Sequence, residues 1–328
     1  MSAIVIKQGL LDSLQDEGRF GYQHLGINPG GSMDPIAAHF ANILVANEST
    51  CAVMELHFPA ASLLLEKRSI IAVTGADFSP VVNDDPVEIN SAIIIPEKSV
   101  LKFASYKNGC RCYLGIHGGW NTQLWLNSYS TNMKVSTGGY VGRSLRRNDA
   151  VQVNRSLTSF RMTEEFASPH QVIKTDLSHL YSQTKKIRCV AGSEYDWWDD
   201  DSKNKFQSSA LTITSESDRM GYRLNGEGLK NVNGEELLST AVTRGTIQLL
   251  PSGQLIILMA DHQTTGGYPK IAHVISADLP KLAQMHANLD LEFELVTHAE
   301  AEELFVQQLC EIQRLEESIK VQLQPYFV

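Results

Sequence analysis

Short apolar runs of strand length are the feature that most constrains this fold. Six of them follow one another between residues 51 and 116, and turn residues such as Asn83-Asp84-Asp85-Pro86 and Lys107-Asn108-Gly109 separate them. Runs of this length and spacing are typical of antiparallel sheets and barrels. The pattern therefore predicts a mostly antiparallel sheet, with a barrel as the favoured arrangement.

Three helices are predicted outside these strands, including a short one over Leu279–Met285. Asp34 and Pro35 form the N-cap and first turn of a short amphipathic helix that ends near Asn47. Thr297 and Glu300 have capping-box spacing ahead of a long apolar stripe. The stripe repeats at helical intervals, which predicts a C-terminal helix docked on the sheet.

The length of 328 residues exceeds what a single hydrophobic core usually fills, so two domains are expected. A second series of strand-like runs begins near residue 186, after a stretch rich in Ser, Thr, Gln and His. The predicted domains are residues 1–152 and 186–328, with 153–185 as a linker. The predicted fold class is mainly β with a few helices.

Composition excludes several functional classes. A net charge of -9 argues against a nucleic-acid partner, because phosphate binding needs a basic surface. Apolar runs are too short for a membrane span, and the N-terminus does not resemble a signal peptide, so a cytoplasmic protein is expected.

Five scattered cysteines agree with a reducing compartment. Cys110 and Cys112 alternate within a strand pattern, and His117, His262 and His273 lack metal-ligand spacing, so no metal site is predicted.

Three polar segments interrupt the apolar runs, at residues 15–22, 217–224 and 263–270. The first two share an order of residue types: Asp16-x-Gly18-Arg19-x-Gly21-Tyr22 and Asp218-Arg219-Met220-Gly221-Tyr222. The shared order suggests the hypothesis that the two halves are related repeats.

Six motifs together resemble the allophanate hydrolase subunit 2 family, which includes the C subunit of bacterial 5-oxoprolinase, the sporulation-kinase antagonist KipA and the carboxyltransferase domain of urea carboxylase. The resemblance covers nearly the whole chain. The motifs are Gln15-Asp16-x-Gly18-Arg19-x-Gly21-Tyr22, Gly31-x-Met33-Asp34, Asn42-x-Leu44-Val45-x-Asn47, Thr74-Gly75-Ala76-Asp77, Ser217-Asp218-Arg219-Met220-Gly221-Tyr222-Arg223-Leu224 and Gln263-Thr264-Thr265-Gly266-Gly267-Tyr268-Pro269-Lys270.

The resemblance implies two cyclophilin-like β-barrel domains, a subunit 1 or B-type (KipI-like) partner and an A-type subunit. Its leading functional implication is ATP-dependent opening of 5-oxoproline, a small cyclic amide, to glutamate. The alternatives are a KipA-like regulator that binds its KipI-like partner, and a carboxyltransferase or allophanate hydrolase subunit of urea metabolism, for which biotin would be the cofactor. One departure from the family pattern is Tyr129, where members often carry arginine.

Opening an unactivated amide requires cationic donors for developing oxyanions and carboxylates that manage protons or magnesium. Arg19, Arg219 and Lys270 are the candidate cations, with Asp16 and Asp77 as candidate carboxylates. Each arginine has the alternative of a structural ion pair with its neighbouring aspartate. Asp77 has the alternative of closing a turn.

Substrate binding is assigned to other residues of the same motifs. The segment Gln263, Thr264, Thr265 and Gly266 offers donors in a tight anion-binding turn, with a structural β-corner as the alternative. Further candidates are Tyr22 and Tyr222, which as buried tyrosines often bond a carbonyl, and Asp34, which also suits an N-cap. No Gly-x-x-x-x-Gly-Lys motif is present, so ATP, with or without magnesium, is expected mainly on another subunit. No Gly-x-Ser-x-Gly elbow is present either, which disfavours a serine hydrolase.

Overall fold

The computed structural model describes residues 2–154, 167–182, 184, 186–226, 229 and 237–326. Strands make up 35% and helices 21%, which confirms the predicted mainly β class with few helices. The residues divide into two compact units. Unit 1 comprises residues 1–19, 34–178 and 311–328, and unit 2 comprises residues 20–33 and 179–310. Within the described ranges, no helix combines the length and hydrophobicity that a bilayer span requires.

The strands of unit 1 are hydrogen-bonded into two antiparallel sheets. The seven-stranded sheet has the order β11-β12-β1-β4-β9-β6-β7, and the six-stranded sheet has the order β13-β8-β5-β10-β3-β2. The strands are β1 (Ser2–Lys7), β2 (Ser13–Gln15), β3 (Val53–Leu56), β4 (Ser62–Leu65), β5 (Ser69–Asp77), β6 (Pro80–Val82), β7 (Asp85–Pro86), β8 (Ser91–Ile95), β9 (Ser99–Phe103), β10 (Asn108–Ile116), β11 (Trp120–Asn121), β12 (Ala150–Val153) and β13 (His170–Lys174).

Alternate residues of the two sheets meet in one core. Val5 and Leu63 come from the seven-stranded sheet, and Ile71 and Leu114 come from the six-stranded sheet; all four are fully buried. This period-two burial is what the alternating apolar positions predict for packed sheets.

A helix covers the other face of the six-stranded sheet. It is α1 (Pro35–Ile43), and its N-cap is Asp34, whose carboxyl accepts the Ala37 N–H at 3.1 Å, as predicted. Gly115 of β10 allows the close approach, because a Cβ there would lie 2.1 Å from the Ala41 carbonyl oxygen. The sequence predicts a helix as far as Asn47, whereas α1 ends at Ile43.

The predicted boundaries differ from the observed units. The segment 153–185 is predicted as a linker, yet β13 within it pairs with β8 of unit 1. Polar residues conceal the short alternation of this edge strand. Residues 155–166 of the segment lie outside the described residues. Residues 20–33 belong to unit 2 although the chain on either side belongs to unit 1.

Unit 2 is built around a closed barrel with the order β14-β21-β18-β19-β16-β15-β22. Its core contains Ile247, Ile257 and Phe293, and Met33 of the 20–33 segment is fully buried among them. Two further strands, β17 and β20, pair only with each other. The strands are β14 (Lys186–Ala191), β15 (Leu211–Ile213), β16 (Gly221–Asn225), β17 (Thr240–Ala241), β18 (Thr246–Leu249), β19 (Leu255–Leu258), β20 (Thr265–Gly266), β21 (Lys270–Val274) and β22 (Asp290–Leu295).

Among the described residues, three α-helices follow α1: α2 (Asp200–Ser208), α3 (Leu279–Ala283) and α4 (His298–Leu323). The predicted capping box precedes α4, since the Thr297 N–H donates to Glu300 at 2.8 Å and the Glu300 N–H donates to Thr297 Oγ1 at 3.2 Å. The apolar stripe of α4 is buried only in part. Ile319 is 1% exposed, whereas Phe305 is 38% exposed, so the predicted docking of the stripe does not extend to Phe305.

Candidate functional site

Arg219 is a buried cation at the start of β16. Its guanidinium donates from Nε and Nη2 to both carboxyl oxygens of Asp261, at 2.8 and 3.1 Å, and from Nη2 to the Gly31 carbonyl at 2.6 Å. The side chain is 5% exposed. The bidentate geometry fixes the plane of the guanidinium. The predicted alternative of an ion pair therefore exists, but its partner is Asp261 and not the neighbouring Asp218.

Arg244 is a second cation in unit 2, and the sequence interpretation missed it. It donates from Nη1 to the Ser32 carbonyl at 3.1 Å and from Nη2 to the Met33 carbonyl. Arg244 lies just before β18, in the sequence Thr243-Arg244-Gly245. A polar corner with glycine ahead of a strand was the signal that could have identified it, because Arg219 also precedes a glycine that begins a strand.

Lys270 is the third cation, at the start of β21. Its ammonium lies 3.3 Å from Oε2 of Glu194 and donates to Thr240 Oγ1 at 2.9 Å. The Lys270 backbone N–H also donates to Glu194 Oε2, at 2.8 Å. Burial by itself would raise the pKa of Glu194, but hydrogen bonds from Ser193 and Lys270 and the charge of Lys270 lower it. Glu194 therefore stays ionised and holds Lys270 in place.

The predicted anion-binding turn has the geometry of a small β-ribbon. Thr265 and Gly266 of β20 pair with Ala241 and Thr240 of β17, and the Val242 N–H donates to the Thr264 carbonyl at 3.1 Å. We call these two paired strands the ribbon. The observed backbone of this segment is thus the structural β-corner, which was the alternative to an anion-binding turn.

The loop ahead of the ribbon is fixed by a buried histidine. Nδ1 of His262 lies 2.5 Å from the Gln263 carbonyl oxygen. Burial lowers the pKa of His262, the hydrogen bond to Gln263 opposes that effect, and the charge of Arg244 adds to it. The side chain of Gln263 is exposed, so its amide can reach a ligand while its backbone is held.

A set of polar side chains lies on the outer face of the barrel. Thr246 and Gln248 alternate along β18 with residues 247 and 249, which are in the core, so both point away from it. The Thr246 hydroxyl lies 3.2 Å from Nδ1 of His273 in the adjacent strand, and Gln248 is in register with Lys270. We call the set the barrel-face cluster: Thr246, Gln248, His273, Lys270 and Glu194.

His273 supplies an imidazole to this cluster. Burial lowers its pKa, and the charge of Lys270 lowers it further, while Glu194 opposes both. A neutral imidazole next to an ammonium and a hydroxyl can accept a proton. The sequence interpretation had considered His273 only as a metal ligand.

Asp16 and Arg19 belong to unit 1, whereas the three cations described above belong to unit 2. Oδ1 of Asp16 accepts hydrogen bonds from the hydroxyls of Ser128 and Ser130 at 2.7 and 2.5 Å, and Oδ2 accepts the Tyr129 N–H at 2.5 Å. Arg19 donates to the Ser130 carbonyl and stacks 4.7 Å from the centre of the Trp125 ring. These contacts give both residues a structural role, and a catalytic role stays a prediction.

Asp34 belongs to a buried network that the sequence did not reveal. The Tyr113 hydroxyl accepts the Asp34 backbone N–H at 2.7 Å and donates to Glu55 at 2.8 Å. Arg111 lies 4.0 Å from the same carboxyl, and Glu55 is fully buried. Burial, followed by the charges of Glu55 and Asp34, raises the pKa of Tyr113 well above its usual value. Tyr113 therefore stays protonated and couples the helix start to the sheet.

The remaining predicted residues occupy separate places. Asp77 accepts the Ser79 N–H at 2.8 Å, which closes a turn, and lies 3.1 Å from Lys107 at the edge of a cavity of about 900 Å³ in unit 1. Tyr222 is 2% exposed in the barrel core, and its hydroxyl donates to the Met285 carbonyl at 3.3 Å. Tyr22 is half-buried in the 20–33 segment. Of the predicted residues, Arg219, Lys270 and the 263–266 segment belong to unit 2, where each has its own partners.

In the described ranges, no group of three or more His, Cys, Asp or Glu side chains is arranged to hold a metal ion. Tyr129 packs its ring against the core of unit 1.

Comparison with known proteins agrees with the motifs. A family model described as "Carboxyltransferase domain, subdomain A and B" matches residues 25–295. Two curated relatives are named as the C subunit of 5-oxoprolinase. The one from Haemophilus influenzae is 37% identical over 89% of this chain and 90% of its own length, and the one from Escherichia coli is 33% identical over 88% and 89%.

Larger enzymes contain a similar region. The crystal structure of Kluyveromyces lactis urea amidolyase superposes with a TM-score of 0.85 and 26% identity, over 95% of this chain. The chain spans only 20% of that enzyme. Since the family model covers most of the chain and the two 5-oxoprolinase relatives match it almost end to end, this chain belongs to the carboxyltransferase-domain family with subdomains A and B.

Proposed function

We propose that this chain is the C-type subunit of an ATP-dependent 5-oxoprolinase, which opens 5-oxoproline to glutamate together with B-type and A-type subunits. The observation that carries the proposal is the match to the C-type relatives, which extends over 89% of this chain and 90% of the relative from Haemophilus influenzae. A match in both directions means that the relative and this chain share the same domain content.

The reaction adds water across the C–N bond of a lactam: the carbonyl carbon gains the hydroxyl oxygen, and the nitrogen leaves with the proton as an amine. An oxyanion develops on the carbonyl oxygen, so a fixed cation near it lowers the barrier. Lys270 is our candidate for that cation, because Glu194 and Thr240 hold its ammonium. Arg219 is proposed to fix the surrounding loops, and Gln263 to Gly266 are proposed to bind the substrate carboxylate.

ATP supplies the driving force for opening an unactivated amide. The cations of unit 2 do not fit a triphosphate site, because Arg219 and Lys270 are paired with carboxylates and Arg244 is bonded to two carbonyls. We therefore assign ATP and its magnesium to a partner subunit.

The test is reconstitution with A-type and B-type subunits and measurement of glutamate released from 5-oxoproline with and without ATP. We expect ATP-dependent release by the complete complex and a loss of at least about 100-fold in the Lys270→Met variant. Lys186→Met is the matched control, since Lys186 is a half-exposed lysine 3.9 Å from Glu292 in the same unit. A fully assembled complex without glutamate release contradicts the proposal.

The second candidate is a biotin-dependent carboxyltransferase, which the urea amidolyase relatives favour. The relative from Lachancea kluyveri is 27% identical over 95% of this chain, although only 18% of that enzyme is covered. Carboxyl transfer from carboxybiotin to urea, measured with the same preparation, separates the two candidates. Tight binding of the B-type subunit with neither activity would instead favour a KipA-like regulator.

A further inference from the structure

Gln248 is a fully buried amide whose carbonyl oxygen has no partner within the described part of the protein. Its Nε2 donates to the Tyr268 carbonyl at 3.3 Å, which fixes the orientation of the amide. Its Oε1 is shielded from solvent and makes no hydrogen bond. A buried acceptor without a donor is unfavourable, and such groups concentrate at functional sites. The position can accept an N–H or O–H donor from a bound molecule.

The surroundings of Gln248 are those of a binding site. Gln248 is in register with Lys270, whose ammonium is held by Glu194 at 3.3 Å and Thr240 at 2.9 Å. Thr240 is also the ribbon residue paired with Gly266. An acceptor and a cationic donor thus belong to directly paired residues of two adjacent strands.

Gly266 brings the ribbon onto the amide. A Cβ at Gly266 would lie 2.7 Å from Nε2 of Gln248 and 3.4 Å from Cγ1 of Val242. The ribbon covers Gln248 with two paired residues on each strand. A ligand that reaches the amide has to displace this short element, and the small number of ribbon hydrogen bonds makes that displacement inexpensive.

We infer that Oε1 of Gln248 accepts the ring N–H of the lactam substrate, with Lys270 facing the adjacent carbonyl oxygen. The inference rests on the proposed function. A lactam is a cis amide, so its N–H and C=O lie side by side along one edge of the ring. Gln248 and Lys270 present the complementary pair, an acceptor and a donor. Gln248 is a binding and specificity residue in this arrangement, because it exchanges no proton with the substrate.

The test compares 5-oxoproline with its lactone isostere, 5-oxotetrahydrofuran-2-carboxylate, in which the ring N–H is replaced by oxygen. The complete complex is assayed for glutamate release, and the lactone is measured as a competitive inhibitor. In the wild type the lactam is expected to bind about 10- to 100-fold more tightly than the lactone. Gln248→Met removes the acceptor at similar volume and is expected to reduce this preference by the same factor, mainly through weaker lactam binding.

Two variants make the result specific. Gln248→Glu keeps an acceptor and is expected to restore the preference for the lactam. Gln15→Met is the matched control in unit 1, because Gln15 is equally buried and its Oε1 also lacks a partner among the described residues, while its Nε2 donates to Ser13 Oγ at 2.9 Å. The control is expected to retain the wild-type preference.

The outcomes separate the two proposals. An inactive wild-type complex overturns the proposed function, and this inference with it. If the complex is active and the Gln248→Met variant keeps the wild-type preference, the inference alone is overturned. A buried water bonded to Oε1 of Gln248 in place of the substrate N–H would overturn it as well. If Gln248→Met does not fold, the comparison of lactam and lactone binding to the wild type still tests the inference. Equal binding of the two compounds would exclude a contact to the ring N–H.

Discussion

The loop at residues 15–22 and the loop at residues 217–224 share an aspartate, an arginine and a Gly-Tyr pair, yet the two are built differently. Gly18 and Gly21 have positive φ angles of 98° and 90°, so the first loop turns twice after β2. Gly221 instead begins strand β16. The shared residue types therefore do not correspond to a shared backbone.

The aspartates of the two loops differ in what they hold. Asp16 is buried, and its carboxyl joins its own loop to residues 128–130 through three hydrogen bonds. Asp218 is exposed, and its carboxyl accepts only local N–H groups among the described residues, those of Met220 at 2.7 Å and Gly221 at 3.2 Å. The first aspartate stabilises a tertiary contact, and the second stabilises a turn.

Unlike the two aspartates, both arginines make long-range contacts, but with different partners. Arg19 bonds the segment that Asp16 already holds, through the Ser130 carbonyl. Arg219 joins two segments distant in sequence, with Asp261 and Gly31 as its partners. The hypothesis of related repeats thus has no support in the contacts of these loops. The role of each charged side chain therefore depends on the partner that it contacts in the fold.

The largest expected effect comes from breaking the Arg219 pair. Arg219→Ala leaves the Asp261 carboxyl and the Gly31 carbonyl without their donor, and loss of one partner from a buried pair costs about 3–5 kcal/mol. We expect the free energy of unfolding of unit 2 to fall by this amount, measured by urea-dependent hydrogen exchange in β16 and β19. Arg223→Ala is the control, because Arg223 lies 3.8 Å from Glu216 on an exposed surface. A loss no greater than in the control would contradict the assignment.

The aspartates provide the next largest contrast. Asp16→Ala removes the acceptor of the Ser128 and Ser130 hydroxyls and of the Tyr129 and Gly18 N–H groups. This loss is expected to cost about 3 kcal/mol. Asp218→Ala removes a solvent-exposed turn contact and is expected to cost about 1 kcal/mol or less. Chemical denaturation of the two variants side by side measures the difference. Equal losses would mean that the loops are more alike than their contacts indicate.

Sequence reasoning succeeded where the cause was local. The Asp34 N-cap and the Thr297–Glu300 capping box depend on residues three positions apart, and both are present. The apolar runs of strand length likewise predicted the sheets, because the alternation of apolar and polar residues is a local property of the sequence. These features need no knowledge of the rest of the chain.

The candidate site was predicted only in part, because its partners are distant in sequence. Lys270 and Arg219 were named, but Glu194 lies 76 positions from Lys270, and Arg244 bonds carbonyls more than 200 positions away. Gln248 has no polar neighbour in β18 except Thr246 two residues earlier, so it was indistinguishable from a strand residue. Closure of the barrel creates these contacts, and no short motif encodes them.

Asp12 in unit 1 and Glu194 in unit 2 are expected to contribute to the pH dependence of stability with opposite signs. Burial raises the pKa of Asp12 in unit 1 from 3.8 to about 6, against the hydrogen bonds from His57 and Ala61. The protonated form is therefore favoured in the folded state, and stability on the order of 2 kcal/mol is lost as the pH rises from about 4 to 6. The lowered pKa of Glu194 in unit 2 has the reverse effect, since its contribution is present above 4.5 and is lost as the pH falls below that value.

Unfolding measured from about pH 3 to about pH 7 in the wild type, Asp12→Asn and Glu194→Gln separates these contributions. The Asp12→Asn variant is expected to lack the decline between about pH 4 and 6, and the Glu194→Gln variant to lack part of the decline at lower pH. If Asp12→Asn keeps the wild-type slope, another group in unit 1 carries the effect.

The smallest expected effect concerns the tyrosines that end the two shared motifs. Tyr222 lies in the barrel core and donates to the Met285 carbonyl at 3.3 Å, so Tyr222→Phe is expected to cost about 1 kcal/mol while the substrate KM of the complex stays unchanged. Tyr22 is half-buried in the 20–33 segment, where a hydroxyl can meet a ligand, so Tyr22→Phe is expected to raise KM by about 3-fold with little change in stability. Steady-state kinetics and thermal unfolding of both variants test this split. A raised KM in Tyr222→Phe would contradict this split. It would mean that the Tyr222 hydroxyl contacts the substrate in addition to the Met285 carbonyl.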